Sequence, residues 1–244
     1  MKNTCIIIPC YNEEKRLPAN EFLTYIRDNT DITFCFVNDG STDETLKLLQ
    51  TMQQAFPKNI SIVDLPINKG KAEAVRAGVN HILDLNAYDY TGYFDADLAT
   101  PLTEIKILLH RFANPGICMV FGSRVKLLSS VIERTGSRHY IGRVFATLAS
   151  NALNASIYDT QCGAKIFRSG LAKDLFQTPF ITKWLFDVEL FARIIQMHGH
   201  DYLNHAVIEA PLSCWLEKGD SKVKLINGLL IPFHLYKIKK KYGL

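Results

Sequence analysis

Short apolar runs alternate along this chain with longer stretches of helical periodicity. Cys5–Pro9 (CIIIP) is apolar at every position, which predicts a strand buried on both faces, and it runs into a turn at Cys10-Tyr11-Asn12. Glu21–Asp28 reads as a helix and Thr33–Asn38 (TFCFVN) as a second buried strand. Asp43–Gln54 sets Leu46, Leu49 and Met52 at helical spacing. A third strand over Ser61–Leu65, a helix over Lys71–Leu83, a fourth strand closing at Tyr93–Asp95 and another over Ile117–Phe121 continue the alternation. Buried strands separated by helices predict right-handed crossovers and an α/β fold with a mixed, mainly parallel sheet flanked by helices. Ligands of such sheets bind beyond the carboxyl ends of the strands. No internal repeat or low-complexity linker interrupts the pattern, so residues 1–217 read as one domain and 218–244 as a basic amphipathic tail.

Composition narrows the class. With 244 residues, 48% hydrophobic and 21% charged, the chain can bury a sizeable core and is neither disordered nor a disulfide mini-scaffold. A net charge of +4 is too small to suggest a nucleic-acid partner. Its placement matters more. Residues 218–244 hold seven Lys against one acid, Asp220, so the rest of the chain is net negative. The six Cys are scattered without metal-ligand spacing and mostly sit in apolar runs, the pattern of reduced, buried thiols and an expected cytoplasmic location. His81, His110, His198 and His205 show no ligand spacing either. The N-terminal residues carry no signal-peptide pattern. No apolar run reaches the roughly 18 residues that a bilayer crossing needs; Leu225–Tyr236 is short and interrupted by Asn227, Gly228, Pro232 and His234.

The polar signals fall at three strand ends: Pro9-Cys10-Tyr11-Asn12-Glu13-Glu14, Asn38-Asp39-Gly40-Ser41-Thr42-Asp43, and Asp95-Ala96-Asp97-Leu98-Ala99-Thr100-Pro101. Taken singly, each has an ordinary reading as a turn and helix cap. Three acid-bearing ends on one sheet edge suggest more, because carboxylates gathered there cost desolvation unless they meet a cation or a ligand's hydroxyls. Neither G-x-G-x-x-G after the first strand nor G-x-x-x-x-G-K-[ST] anywhere is present, which argues against a dinucleotide oxidoreductase or a P-loop NTPase. A nucleotide held by carboxylates and backbone, with Mg²⁺ or Mn²⁺ between Asp-x-Asp and a diphosphate, suits the remaining chemistry.

The combination IIIPCYNEE (6–14), VNDGSTDET (37–45), NKGKAEAVRAG (68–78) and YFDADLATP (93–101) resembles the family 2 glycosyltransferases of GT-A (Rossmann-like) fold. GSR (122–124), DTQCGAKIF (159–167), WLFDVELFAR (184–193) and WLEKGDSK (215–222) are similar to the lipid-phosphate branch, the dolichyl-phosphate β-glucosyltransferases and their bacterial polyprenyl-phosphate relatives. The resemblance spans residues 5 to about 222. It implies that Pro9, Tyr11, Glu13, Asp39, Lys71, Asp95 and Ala96 line the donor nucleotide pocket, and that Asp95 and Asp97 serve catalysis as the metal-binding pair, Asp97 as the direct ligand. Mannose-transferring relatives often carry a metal-contacting Gln where this chain has Ala99, so the resemblance points to a UDP-hexose, expected to be glucose, rather than GDP-mannose. It further implies that Arg124, Arg138 and Arg143 grip the acceptor phosphate, since the planar fork of Arg suits phosphate oxygens; Lys165 and Lys222 read as cations that neutralise the acceptor phosphate or the donor diphosphate.

Asp187 stands where hydroxyl-glycosylating relatives keep a general base. A lipid phosphate is already ionised near neutral pH and gains little from a base, so Asp187 is either a base toward a carbohydrate hydroxyl or an orienting group. The expected activity is inverting transfer of a hexose from a UDP-sugar to a polyprenyl (dolichyl- or undecaprenyl-type) phosphate. Transfer to a carbohydrate hydroxyl in cell-surface polysaccharide synthesis, or a catalytically dead nucleotide-sugar-binding module, are the alternatives. The tail reads either as a last helix packed on the core or, favoured by a lipid acceptor, as a segment lying on an anionic membrane at its cytoplasmic face.

Overall fold

The computed structural model describes residues 3–128, 130–133, 136–218 and 230–244, with no side-chain detail for residues 136–141. Its main sheet has seven strands in the order β3-β2-β1-β4-β7-β5-β8: β1 (Thr4–Cys10), β2 (Ile32–Asp39), β3 (Ile60–Leu65), β4 (Tyr90–Phe94), β5 (Met119–Ser123), β7 (Ala164–Arg168) and β8 (Val207–Pro211). All neighbouring pairs are parallel except those of β7, which lies antiparallel between β4 and β5. The expected mixed, mainly parallel sheet is therefore present. A short parallel pair, β6 (Val131–Glu133) and β9 (Cys214–Leu216), forms a second small sheet.

The continuous apolar runs follow from burial on both faces. Along β1, Cys5 and Ile7 point into one core while Ile6, Ile8 and Cys10 point into the other. In β2, Cys35 and Val37 face the first core, and Phe34 and Phe36 the second. Helices α1 (Ala19–Asp28), α2 (Thr45–Ala55) and α4 (Glu104–His110) supply Phe22, Leu49 and Ile105 to the second core. The first is closed by α3 (Lys71–Asp84), α5 (Gly136–Leu153), α6 (Ser169–Phe176) and α7 (Phe186–Ala206). Because β3, β2, β1 and β4 are adjacent and parallel, their carboxyl ends open on one edge, and the three acid-bearing loops meet there.

The last helix, α8 (Ile231–Tyr242), has two faces. Leu235, Ile238 and Tyr242, at i, i+3 and i+7, are buried in the first core against α5 and α7. Phe233, Tyr236, Lys237 and Lys240 are exposed on the other side. This part of the expected tail is built into the domain; residues 219–229, Lys222 among them, lie outside the described residues. A buried ionic knot secures it. The Arg193 guanidinium donates to the carbonyls of Leu175 (2.6 Å), Thr178 (2.9 Å) and Pro179 (2.7 Å) and to Glu189 (2.9 Å). The Tyr242 hydroxyl donates to the same carboxylate at 2.6 Å, and the Ile181 N–H reaches it as well. Glu189 thus has a structural task. Replacing Arg193 by Met would leave that carboxylate buried without its counter-charge, a loss of about 3–5 kcal/mol; urea unfolding should show the midpoint falling accordingly.

Candidate active site

The loops after β1 and β2 are stitched together. The Asn12 N–H donates to Ser41 Oγ (3.0 Å), the Thr42 N–H to Asn12 Oδ1 (2.9 Å), and the Glu13 N–H to Thr45 Oγ1 (2.8 Å). Asp43 accepts from the Thr45 N–H and hydroxyl, so the turn reading of Asp-Gly-Ser-Thr-Asp holds for its last acid. Asp39 does something different. Its carboxylate at the end of β2 accepts from the Lys69 N–H (2.8 Å) and the Gly70 N–H (2.9 Å), drawing the loop before α3 over the sheet edge. Gly70 sits at φ +91°, a conformation in which a side chain would be strained. These bonds set the loop that follows Pro9, with Tyr11 and Glu13, and the Asp39 carboxylate beside the segment that leads into Lys71, the first residue of α3.

Lys71 reaches from α3 to Asp95, where Nζ lies 2.5 Å from Oδ1; both side chains are more than one-third exposed. Burial opposes the ammonium charge, but Asp95 and Asp187 outweigh it, and the Lys71 pKa is raised. Asp95 occupies the space of a missing side chain: a Cβ on Gly163 would lie 2.0 Å from Asp95 Oδ2. Asp97 Oδ1 accepts from the Ala99 N–H at 2.9 Å, and burial pushes its carboxyl above the ordinary range. Between them Leu98 is held at φ +52°, a left-handed conformation uncommon outside glycine. A non-glycine residue in that conformation is the kind of local strain that clusters at functional sites.

Behind the pair lies a row of buried charge. Lys165 is fully buried, and its ammonium donates to Asp187 Oδ1 and to the Cys162 carbonyl, both at 2.6 Å. Tyr93, directly opposite Lys165 in the β4–β7 register, donates its hydroxyl to the same carboxylate oxygen. Burial, and then Asp187, push the Tyr93 pKa well up, so it remains a donor. The Lys165 ammonium is therefore committed to Asp187, which revises its expected place among the phosphate ligands: a fully buried cation so held does not face an acceptor.

The expected acceptor arginines have separate partners that converge on one dipeptide. Arg124 pairs bidentately with Asp159 (2.6 and 2.7 Å) and lies over the Trp215 ring. Arg143 donates to the Tyr158 carbonyl at 3.2 Å and stacks over its ring. The Tyr158 and Asp159 N–H groups both donate to Glu209, at 2.9 and 2.7 Å. Tyr158, Asp159 and Glu209 were not among the candidates from sequence, although Asp159 opens the DTQCG run. The Arg138 side chain and Lys222 lie outside the described residues.

Among the described residues no cluster of three or more His, Cys, Asp or Glu could hold a metal by protein ligands alone. Asp95 and Asp97 nonetheless fit a hard dication of the kind held by one or two carboxylates plus ligand phosphates and water. Asp97 in particular is a desolvated carboxylate without a cation bonded to it in the described contacts.

The arrangement of sheet and helices is shared with a solved enzyme structure. Glucosyl-3-phosphoglycerate synthase from Mycobacterium tuberculosis, solved with phosphoglyceric acid, superposes with a TM-score of 0.69 at 16% identity, covering 99% of this chain and 80% of that one. The glycosyl transferase family 2 model matches residues 5–176, and the chain belongs to that family. A dolichyl-phosphate beta-glucosyltransferase of Trichomonas vaginalis is 31% identical over 96% of this chain and 72% of its own length. The corresponding enzyme of Mus musculus is 32% identical over 89% and 73%. Gly163→Ala should displace Asp95 while keeping the fold; a displacement of about 1 Å can cost on the order of a hundredfold in rate. Sugar-transfer rates compared at unchanged circular dichroism check it.

Proposed function

We propose that this glycosyltransferase moves glucose, with inversion, from UDP-glucose to the phosphate of a polyprenyl lipid at the cytoplasmic face of a membrane. The observation that carries the acceptor class is the double occupation of Asp187 Oδ1 by Lys165 and Tyr93. Held on one oxygen by both groups, Asp187 suits an orienting role, and a phosphate nucleophile, which arrives already charged, needs no base from it, whereas a sugar hydroxyl does. The names of the relatives support the same acceptor, and the fold neighbour solved with Mn²⁺, UDP and glucosyl-3-phosphoglycerate supports the donor class.

In this reading the cleft of Pro9, Tyr11, Glu13, Asp39 and Ala96 holds the nucleoside, and Lys71 faces the diphosphate. Asp95 and Asp97 would hold Mg²⁺ or Mn²⁺, which supplies charge neutralisation of the leaving diphosphate. Arg124 and Arg143, set by Tyr158, Asp159 and Glu209, orient the lipid phosphate through the N–H donors that Asp159 and Tyr158 leave free, with Arg138 and Lys222 beside them. A phosphate oxygen then bonds to the sugar C1, the bond from C1 to the diphosphate oxygen breaks, and UDP leaves with the electron pair; no proton needs to move.

The protein should accept UDP-glucose with a polyprenyl phosphate and reject both GDP-mannose and a carbohydrate hydroxyl acceptor, read as labelled glycolipid. Asp97→Asn should abolish turnover. Asp187→Asn should lower the melting temperature, because it weakens the partner of Lys165, yet cost less than tenfold in turnover per folded molecule. A loss of 10²–10⁴-fold there, typical of a missing base, would return the hydroxyl acceptor.

No helix among the described residues is long and apolar enough to cross a membrane. The outer face of α8, with exposed Phe233 and Tyr236 beside Lys237, Lys240 and Lys241, suits an anionic bilayer surface, where each Lys contributes roughly 1 kcal/mol. Changing the three Lys to Glu should therefore weaken co-sedimentation with phosphatidylserine vesicles by at least a hundredfold while UDP binding stays intact.

A further inference from the structure

The Lys71–Asp95 contact has a consequence for how the donor enters. Three carboxylates gather at this end of the sheet, Asp95, Asp97 and Asp187. Lys165 answers Asp187 from within the core, which leaves Asp95 and Asp97 with Lys71. The Lys71 ammonium lies on Asp95 Oδ1 at 2.5 Å, over the faces of Tyr93 (5.9 Å) and Phe186 (5.8 Å). Its backbone is fixed at the start of α3 through the Gly70 N–H on Asp39, whereas its four-carbon stem is free to swing. On its inner side the Asp95 carboxylate is backed by Gly163.

We propose that Lys71 is a stand-in counter-ion for the Asp95–Asp97 pair, one that a divalent cation displaces and that then takes hold of the donor diphosphate. The inference rests on the reading of Asp95 and Asp97 as the cation site. A dication held by the Asp95–Asp97 pair repels an ammonium resting on Asp95, and Oδ1 of the neighbouring Asp187 is already taken by Lys165 and Tyr93. The released ammonium finds its new partner in the diphosphate that accompanies the cation. Cation alone must compete with Lys71, and diphosphate alone must draw Lys71 away from Asp95; together each removes the other's obstacle. Binding of the two is thereby made positively cooperative, and the coupling is reciprocal.

The test is Mn²⁺ binding to the purified protein by electron paramagnetic resonance, with and without UDP, for wild type, Lys71→Met and Lys71→Arg. Wild type should bind Mn²⁺ weakly alone and on the order of tenfold more tightly with UDP. Lys71→Met should bind Mn²⁺ alone more tightly than wild type by a similar factor, bind UDP less tightly, and lose most of the coupling. Lys71→Arg, which keeps the charge, should retain the competition. Since Lys71 is partly exposed, unchanged thermal melting is expected for both variants. Unaltered or weaker Mn²⁺ binding by Lys71→Met, or coupling equal to wild type, overturns the proposal while leaving the cation site standing. No Mn²⁺ binding by wild type even with UDP overturns the cation site and the exchange together.

Discussion

A fully buried ammonium has to be paired, and much of this active site depends on how Lys165 meets that requirement. Taking the charge out of water costs several kcal/mol unless good geometry restores it. Asp187 and the Cys162 carbonyl provide it, and Tyr93 completes the carboxylate's hydrogen bonding from the next strand. The antiparallel insertion of β7 makes the arrangement possible, because it sets Lys165 directly opposite Tyr93, two residues before Asp95. The first turn of α7, where an acid also suits the helix dipole, brings Asp187 onto both.

From that anchor, charge alternates outward: Lys165, Asp187, Lys71, Asp95. At its outer end the Asp95 carboxylate lies against Gly163 and carries the Lys71 ammonium. The same logic of neutralising buried charge recurs where Glu189, Arg193 and Tyr242 join α7 to α8, and where Glu209 holds the dipeptide that positions Arg124 and Arg143. The first knot is structural and the second borders the cleft, yet both follow from the same penalty on unpaired charge. α8 stands between two environments. Its inner face completes the core, and its outer face carries the lysines.

The alternating apolar runs determined the α/β class and the gathering of acid-bearing strand ends, because parallel strands buried on both faces have to be continuously hydrophobic and such sheets open at their carboxyl ends. Asp39, Asp95 and Asp97 stood out for that reason, as residues next to strong local signals, whereas Lys71 was singled out only by the family resemblance. Local pattern could not show what Lys165 does. A lysine in the short run Ala164–Arg168 reads as a cation for a phosphate until the sheet order places it in the core. Nor could it show Asp159 as the partner of Arg124, 35 residues away, or Glu209 as the acceptor for the Asp159 N–H, 50 residues away. The two readings of the final segment turned equally on contacts: Leu235, Ile238 and Tyr242 have the spacing of a packed face and the lysines that of a solvated one, and a single helix holds both. Spacing along a chain determines which side chains share a face. Which distant charge that face meets is decided only when the sheet is assembled, because the energy of a buried ion depends on its partner and not on its neighbours in sequence.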